Sequence, residues 1–333
     1  MSIAGTIQVS ILVAARNEEQ HIARCLRSLD ALNFPKDAIE ILIGDDDSED
    51  ATALVVQEFI RDKPWFRYLK IAARSHGLEG KANVLAQLAR EAKGRYFFFC
   101  DADIAVPPTW ASTMLTHFAE GAGVVVGVTR MTQKHLLADF LSVEWLLVLG
   151  LVRLAARFKI PVTGMGNNMA VSREAYFGVG GYEQLGFSII EDYALFMAVV
   201  HRGFDFQIGY ETRLLNISEP VNSIGELLRQ RKRWVQGVMK SFVSFKWNII
   251  LSALIVPLLL VLAIWMPCIA GSALLVHYLM VTAAAVVCVG YLKQKDLYLP
   301  AVLFWFYMSA IMAAMLMLHI LPGKAIWKGR EYQ

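Results

Sequence analysis

Two carboxylates separated by one residue follow a run of aromatic residues in YFFFCDAD, at 96–103. Burying an unpaired charge is costly, so Asp101 and Asp103 need compensation at the end of such a run. A solvated turn or a helix cap is the ordinary explanation of an isolated pair of this kind. A divalent cation is the chemical explanation, because Mg²⁺ and Mn²⁺ bind one or two carboxylates together with substrate phosphates.

A second acidic stretch, GDDDSED, occupies residues 44–50. Ser48 or Asp50 is expected to cap the helix that follows. A cap needs only one side chain, and contiguous aspartates repel one another. Asp45 and Asp46 are therefore candidates for accepting the N–H of a uracil ring or a ribose hydroxyl.

Three further groups have both a structural and a chemical interpretation. Glu191 and Asp192 open an apolar helix, where acids suit the helix dipole, but a carboxylate there is also suited to act as a general base toward a hydroxyl. QRKRW at 230–234 is a basic patch for a membrane surface, or it offers an arginine fork and an indole N–H to a diphosphate leaving group. Lys81 is a solvated side chain or joins that phosphate site.

The elements that must position these groups follow an alternating pattern between Gln8 and Val128. The predicted strands are 9–15, 40–44, 66–71 and 96–100, and the predicted helices are 21–29, 51–60 and 81–92. Strands that are apolar on both faces and alternate with helices predict a parallel sheet covered on both sides. Ligands bind beyond the carboxyl ends of such strands, where ARNEE, GDDDSED and CDAD are found.

Composition separates this α/β region from the rest of the chain. The 333 residues are 56% hydrophobic, above the roughly 45–50% of soluble proteins, and most of the excess follows Trp247. The net charge of +3 is too small to indicate a nucleic-acid binder. The four cysteines show no zinc-like or disulfide-like spacing, which favours a reducing compartment: Cys25, Cys100, Cys268 and Cys288.

The later segments predict a membrane protein. Residues 135–160 are expected to form a helix that is buried or interfacial rather than spanning, because they carry four charges. Residues 224–246 are expected to form a basic amphipathic helix at the membrane interface. Three apolar blocks, about 248–268, 270–291 and 297–321, are each long enough to span. The positive-inside preference places KQK and KAIWKGR on the cytosolic face, which leaves the number of crossings open. No signal peptide is evident, so the N-terminal domain is expected in the cytosol.

The motifs in their order resemble the family 2 glycosyltransferases with the GT-A fold, in the ceramide-glucosyltransferase-like branch. The resemblance covers about residues 7–240 and rests on these segments in order: ARNEE, GDDDSED, GKAN, DAD, GMGNNMAVSREAY, ED and QRKRW. It implies a GT-A-type, mostly parallel sheet flanked by helices, then an interfacial helix and transmembrane helices. The implied domains are 1–223 (catalytic), 224–247 (interfacial) and 248–333 (membrane).

The resemblance also implies roles for individual residues. Asp192 would be the base that deprotonates the acceptor hydroxyl, and Asp101 and Asp103 would bind Mg²⁺ or Mn²⁺ and the diphosphate. The nucleotide sugar would also contact these residues: Glu18, Asp45, Asp46, Lys81, Gln230, Arg233 and Trp234. The donor-sugar and acceptor pocket would be lined by these: Gly164, Asn167, Asn168 and Glu191.

Two residues depart from the family pattern. Asp47 stands where Gly or Asn is usual, which leaves the division of contacts among Asp45–Asp47 open, and Ile190 replaces a frequent Thr before ED. The implied enzyme is an inverting, metal-dependent transferase that moves one sugar from a nucleotide sugar, expected to be a UDP-hexose, to the hydroxyl or phosphate of a membrane lipid at the cytosolic surface. The alternatives are a processive polysaccharide synthase, a non-catalytic nucleotide-sugar-binding partner and, least favoured, a transporter. The sequence does not give the oligomeric state.

Overall fold

The computed structural model of the chain divides into two compact units. The first comprises residues 1–130 and 149–219, and the second comprises residues 131–148 and 220–333. The structure describes residues 7–71, 74, 77–186, 188, 190–239, 243–320, 325–327 and 330–332. The side chains of residue 233, of residues 235–251 and of residues from 318 onward lie outside this description.

The first unit begins with the alternating pattern that the sequence predicts. Its elements are β1 (Val9–Ala15), α1 (Ile22–Asp30), β2 (Ile39–Asp45), α2 (Thr52–Ile60), β3 (Phe66–Lys70), α3 (Gly80–Glu91) and β4 (Tyr96–Asp101). Strand β1 is parallel to both β2 and β4, and β2 is parallel to β3. The predicted strands and helices of this half are confirmed, with ends that differ by one residue at most.

The second half of the same unit extends the sheet. Its elements are α4 (Trp110–Ala119), β5 (Ala122–Val126), β6 (Val128–Met131), α5 (Leu136–Arg157), β7 (Met169–Ser172), α6 (Arg173–Gly178), α7 (Gly181–Leu185), α8 (Glu191–His201), β8 (Asp205–Ile208) and β9 (Leu215–Ser218). Met131 of β6 and the α5 residues up to Val148 belong to the second unit. The seven-stranded sheet has the order β3-β2-β1-β4-β7-β5-β8, in which β7 is antiparallel to both neighbours. Strands β6 and β9 form a separate pair.

The phenylalanines of β4 lie in two hydrophobic layers on opposite sides of the sheet. Phe98 packs with the apolar residues of α1 and α4, and its ring meets Trp110 edge-on at 5.2 Å. Phe97 and Phe99 point the other way, into the layer formed by α3 and α8. All three side chains are fully buried. This double coverage explains the uninterrupted apolar run and fixes the backbone from which Asp101 emerges.

The second unit contains the residues of β6 and α5 from Met131 to Val148, followed by helices. These are α9 (Ile224–Met239), α10 (Val243–Leu262), α11 (Pro267–Tyr291) and α12 (Tyr298–Ile320), then the hairpin β10 (Ala325–Trp327) and β11 (Arg330–Tyr332). A small core joins α5, α9 and α12 through Leu141, Leu227 and Tyr307.

Two helical segments of this unit have the length and composition of membrane spans. Helix α11 and the segment Lys295–Met317 are both long and apolar enough to cross a bilayer, while Ser252–Leu262 is a shorter apolar helix. Two of the three predicted apolar blocks therefore form helices of spanning length. The first block lies partly on residues whose side chains are outside the described part of the chain.

Candidate active site

The carboxyl ends of three neighbouring strands bring the predicted acidic groups to one edge of the sheet. Ala15 at the end of β1 pairs with Asp45 of β2, and Ala14 pairs with Asp101 of β4. Asp45 and Asp101 therefore end the two strands on either side of β1. This arrangement confirms the expectation that ARNEE, GDDDSED and CDAD meet at the carboxyl edge of a parallel sheet, the edge at which ligands bind in such folds.

Lys81, in the first turn of α3, is the centre of a cluster of charges. Its Nζ atom lies 2.5 Å from Asp101 Oδ1 and 3.4 Å from Glu191 Oε1. Desolvation alone would lower the pKa of Lys81, but attraction to Asp101, Glu191 and Asp192 outweighs it and raises that pKa. Lys81 is therefore a permanent cation within an acidic site, and the sequence-based alternative of a solvated lysine is wrong.

Asp192 is held beside this lysine by backbone donors. The N–H of Gly166 donates to Asp192 Oδ2 at 2.6 Å, and the N–H of Tyr193 donates to Oδ1 at 2.8 Å. A Cβ atom at Gly166 would lie 3.0 Å from the Cβ of Asp192 and 3.1 Å from Nζ of Lys81. A side chain at position 166 would therefore crowd both groups, and each Asp192 oxygen keeps lone-pair capacity for another proton donor.

Glu191 shares the site but has a different electrostatic environment. Desolvation raises the pKa of its carboxyl, attraction to Lys81 lowers it, and repulsion from Asp192 raises it again, with a net increase. Like-charged neighbours disfavour ionisation in this way. Ionisation of Glu191 is thus disfavoured, although its carboxylate lies 3.4 Å from the Lys81 ammonium.

Asp103 is positioned by residues of the β9 region. The Ser218 hydroxyl donates to Asp103 Oδ2 at 2.9 Å, and the Arg24 guanidinium donates to the Asp103 carbonyl at 2.6 Å. Desolvation and the charges of Asp101 and Glu18 raise the pKa of Asp103 to about 7. Arg24 is itself paired with Glu219 at 2.9 Å. The sequence reasoning did not identify Ser218, Arg24 or Glu219, because they lie far from the motif in sequence and follow no pattern.

The acidic stretch at 44–50 is largely engaged with its own loop. Asp45 is buried and accepts hydrogen bonds from the Ser48 N–H at 2.9 Å, the Ser48 hydroxyl at 2.5 Å and the Tyr68 hydroxyl at 2.7 Å. The backbone N–H and carbonyl of Asp46 are also bonded, to Ala15 and Arg16. Ser48 therefore braces Asp45 and does not cap α2.

Asp47 adopts φ of +56°, in the left-handed region that Gly and Asn tolerate best. This backbone conformation gives a physical reason for the Gly or Asn that the family pattern usually has there. Asp47 is exposed and lies 3.6 Å from Lys70. Its departure from the pattern is thus a change of side chain on an exposed turn whose conformation is kept.

The pocket residues predicted around 164–168 have different environments. A Cβ at Gly164 would lie 2.8 Å from the carbonyl oxygen of Asp192, so this glycine allows the loop to approach α8 closely. Asn167 is half-buried and accepts a long hydrogen bond of 3.4 Å from Thr129. Asn168 is fully buried, and its amide bonds the Val128 and Leu214 carbonyls and the Trp110 indole. This geometry gives Asn168 a structural role and does not support its prediction as a pocket residue.

The remaining predicted residues lie elsewhere in the chain. Glu18 follows β1, and its N–H donates to the Thr52 hydroxyl at 2.7 Å. Gln230 and Trp234 belong to α9 in the second unit, where Trp234 is half-buried. The side chain of Arg233 lies outside the described residues.

The charge balance at the sheet edge suits a divalent cation. Five carboxylates influence one another electrostatically here: Glu18, Asp101, Asp103, Glu191 and Asp192. The Lys81 ammonium contacts two of them directly, Asp101 and Glu191. Within the described residues, no group of three or more His, Cys, Asp or Glu is arranged to hold a metal by itself. A cation that takes one or two carboxylates and completes its shell with phosphate oxygens fits this donor set.

Comparison with known proteins agrees with this geometry. The sequence model of glycosyl transferase family 21 matches residues 4–333. The poly-beta-1,6-N-acetyl-D-glucosamine synthase of Staphylococcus epidermidis is 26% identical over 245 residues, 73% of this chain and 57% of that protein. The beta-monoglucosyldiacylglycerol synthase of Synechocystis sp. is 25% identical over 246 residues, 72% of this chain and 50% of that protein. The chain thus spans about half the length of these curated relatives.

A solved structure with the same fold covers most of the chain. The mannosyltransferase PcManGT from Pyrobaculum calidifontis, in complex with GDP-Man and Mn²⁺, superposes with a TM-score of 0.57 at 18% identity. The match covers 95% of this chain and 86% of that chain. At this level of identity the likeness shows the fold, and it confirms the predicted GT-A-type, mostly parallel sheet flanked by helices.

Proposed function

The chain belongs to glycosyl transferase family 21, and on that premise we propose that it transfers one hexose from a nucleotide sugar to a hydroxyl of a membrane lipid. The donor class is a UDP-hexose, and the reaction inverts the anomeric carbon in a single displacement. The observation that carries the proposal is the convergence of Lys81, Asp101, Glu191 and Asp192 at the carboxyl edge of the sheet.

Asp192 is the general base of the proposed reaction. Its carboxylate takes the proton of the acceptor hydroxyl while that oxygen forms a bond to C1 of the donor sugar. The bond between C1 and the diphosphate oxygen breaks, and its electron pair leaves with the nucleoside diphosphate. The two backbone N–H donors that hold the carboxylate oxygens fix its direction without supplying a proton to the reaction.

Asp101 and Asp103 are the proposed carboxylate ligands of a bound Mg²⁺ or Mn²⁺. When bound, such a cation supplies Lewis-acid stabilisation of the negative charge that develops on the leaving diphosphate. Ser218 and Arg24 hold Asp103 at its side chain and at its backbone, so this carboxylate is oriented before any ligand arrives. Lys81 contributes a fixed positive charge beside Asp101.

The remaining donor contacts are proposed from the family motifs. Glu18 and Asp46 contact the nucleoside. Asp45 stabilises the loop that carries Asp46 through its hydrogen bonds with Ser48 and Tyr68. Gln230, Arg233 and Trp234 hold the diphosphate. Gly164, Asn167 and Glu191 face the donor sugar and the acceptor.

A lipid acceptor is supported by the apolar surfaces of the chain. Helix α11 and the segment Lys295–Met317 have spanning length. In the first unit, Leu151 and Leu154 of α5 are 55% and 52% exposed, and Phe158, which directly follows α5, is 71% exposed. Residues at this spacing share one helical face, and an exposed apolar face of this kind suits the boundary between headgroups and acyl chains. We therefore propose a membrane-integral protein whose catalytic unit works at the cytosolic surface.

A processive polysaccharide synthase is the second candidate. It is favoured by the similarity to a synthase whose name states a polymer of N-acetylglucosamine, at 26% identity. The two candidates use the same donor chemistry and differ in whether the acceptor is a lipid or the growing glycan. They therefore predict products of different solubility.

One experiment separates these candidates. Membranes that contain the full chain are incubated with a panel of radiolabelled nucleotide sugars and Mg²⁺ or Mn²⁺, and label is then partitioned between organic solvent and water. Membranes with Asp192→Asn serve as the matched blank. Label in the organic phase that depends on Asp192 supports the lipid transferase. Label in a large insoluble product supports the polymer synthase, and absence of transfer from every donor rejects both.

A further inference from the structure

A buried ion pair joins three helices of the second unit. The Arg231 guanidinium of α9 donates to Glu144 Oε2 of α5 at 2.7 Å, and the Tyr307 hydroxyl of α12 donates to the same oxygen at 3.1 Å. The Arg231 and Glu144 side chains are 7% and 16% exposed. Desolvation raises the pKa of Glu144, although Arg231 and Tyr307 act in the opposite direction. Removing one partner would leave the other charge buried and unpaired.

The same arginine packs against Trp234. The centre of the Arg231 guanidinium lies 4.6 Å from the centroid of the Trp234 ring, within the range of a cation–π contact. The Trp145 ring of α5 meets Trp234 edge-on at 5.9 Å. Arg231 and Trp234 are three residues apart on α9, so they share one helical face. The Trp234 indole is thus held between a guanidinium and a second aromatic ring.

A planar guanidinium is suited to this double contact. The Arg231 Nε atom is buried and has no hydrogen-bond partner within the described part of the chain, so the side chain is placed by the Glu144 bond and the ring contact. A lysine has no plane to stack and offers a single point charge. The Tyr307 hydroxyl adds a link from Glu144 to a segment of spanning length.

We propose that Tyr307, Glu144 and Arg231 are positioning residues that set the orientation of the Trp234 indole, so that the placement of α12 controls the rate of sugar transfer. The proposal rests on the proposed function for the role of Trp234 at the diphosphate. Tyr307 orients Glu144 through a hydrogen bond, Glu144 orients Arg231 through the ion pair, and Arg231 orients Trp234 through the ring contact. This coupling requires no movement of the catalytic carboxylates.

The first test is kinetic and uses the full chain in lipid nanodiscs. Tyr307→Phe removes one hydroxyl and should lower kcat about tenfold, the effect of losing a hydrogen bond to a charged group, while KM for the nucleotide sugar stays within about twofold. Tyr298→Phe, at the start of the same helix, is the matched control and should leave kcat unchanged. Arg231→Lys should lower kcat, whereas Arg229→Lys on the exposed face of α9 should not.

A double-mutant cycle shows whether Tyr307 acts through Trp234. In a Trp234→Phe background, Tyr307→Phe should cause no further loss of kcat, because the group that it orients is gone. A structural role would instead give the same fractional loss of kcat from Tyr307→Phe in both backgrounds. Such independent losses, which multiply in kcat, would overturn the proposal.

A second readout does not depend on activity. The chain is labelled with 5-fluorotryptophan, and the ¹⁹F resonance of Trp234 is assigned as the one lost in Trp234→Phe. Tyr307→Phe, Glu144→Gln and Arg231→Lys should each shift this resonance, and Tyr298→Phe and Arg229→Lys should leave it in place. An unmoved resonance in Glu144→Gln would refute the positioning of Trp234. Failure of wild-type transfer with shifted resonances would reject the proposed function alone.

Discussion

Two charged clusters, one in each unit, differ in their charge balance. At the sheet edge, Lys81 contacts Asp101 and Glu191, and three further acids lie near enough to influence the group. In the second unit, Arg231 pairs with Glu144, and the Tyr307 hydroxyl completes the set. The first cluster has a surplus of negative charge, whereas the second is balanced.

The charge balance distinguishes a cluster that is suited to bind a ligand from one that stabilises the fold. A surplus of carboxylates is unfavourable in the free protein and becomes favourable when a cation arrives, so the first cluster is prepared for a ligand. A balanced buried pair gains nothing from an added ion, and it fixes the helices that carry it. Lysine and arginine match these roles, since an ammonium is a compact point charge and a guanidinium is a planar fork.

The largest expected effect is in the first cluster. Asp192→Asn removes the proposed general base and should lower kcat by about 10³-fold, within the usual contribution of acid–base catalysis. Binding of the nucleoside diphosphate, measured by calorimetry, should stay within about threefold, because the diphosphate contacts are untouched. Asp205→Asn, an exposed acid paired with Lys159 on the same unit, is the control. An equal loss of nucleotide affinity in Asp192→Asn would contradict its role as base.

The second prediction concerns the balanced pair. Glu144→Gln leaves Arg231 buried without a counter-charge and should lower the free energy of unfolding by about 3 kcal/mol. The double variant Glu144→Met/Arg231→Met should recover much of this stability, while transfer stays slow because the Trp234 indole has lost its guanidinium. Thermal unfolding in nanodiscs, with exposed Glu120→Gln as control, measures the first effect. A stable and fully active double variant would show that the pair serves stability alone.

The third prediction uses the surplus of charge directly. Lys81→Met removes the ammonium that contacts two acids, so the free protein should lose stability and depend more on an added cation. At one fixed Mn²⁺ concentration the thermal midpoint should rise more in Lys81→Met than in the wild type, because carboxylates without the ammonium should bind the cation with a lower Kd. A concentration a hundredfold above Kd stabilises the protein by about 2.7 kcal/mol. Lys70→Met, at an exposed lysine near Asp47, should respond as the wild type does. Identical responses would mean that Lys81 does not compensate a cation site.

The sequence predicted the first unit well because its signals are local. Strands that are apolar on both faces and helices of regular spacing repeat between residues 9 and 101, and the acidic groups come directly after strands. Since the carboxyl ends of parallel strands share one edge, their convergence follows from topology alone. Asp45 and Asp101 could be selected in this way, whereas the roles expected for Asp192 and Lys81 came from the resemblance to the family.

The sequence did not predict contacts between distant segments. Ser218 reaches Asp103 across 115 positions, and Tyr307 reaches Glu144 across 163. Neither pair lies in a repeating pattern, and a serine or tyrosine by itself predicts no partner. Asn168 shows the converse, because the motif alone did not indicate that this side chain is fully buried and bonds the Val128 and Leu214 carbonyls.

The smallest predicted effect concerns Asp50, an acid of the same stretch that serves α2 and no ligand. Desolvation opposes ionisation, but hydrogen bonds from Thr52 and the Glu19 N–H lower the pKa of Asp50. A lowered folded-state pKa means that its stabilisation is complete above the unfolded pKa of about 4 and is lost as pH falls through the folded value. Asp50→Ala should cost about 1 kcal/mol at pH 7, and less under acidic conditions. Denaturant unfolding at pH 7 and under acidic conditions measures the loss of stability, with exposed Glu58→Ala as the control. A loss of stability that does not change with pH would show that the Asp50 charge contributes nothing.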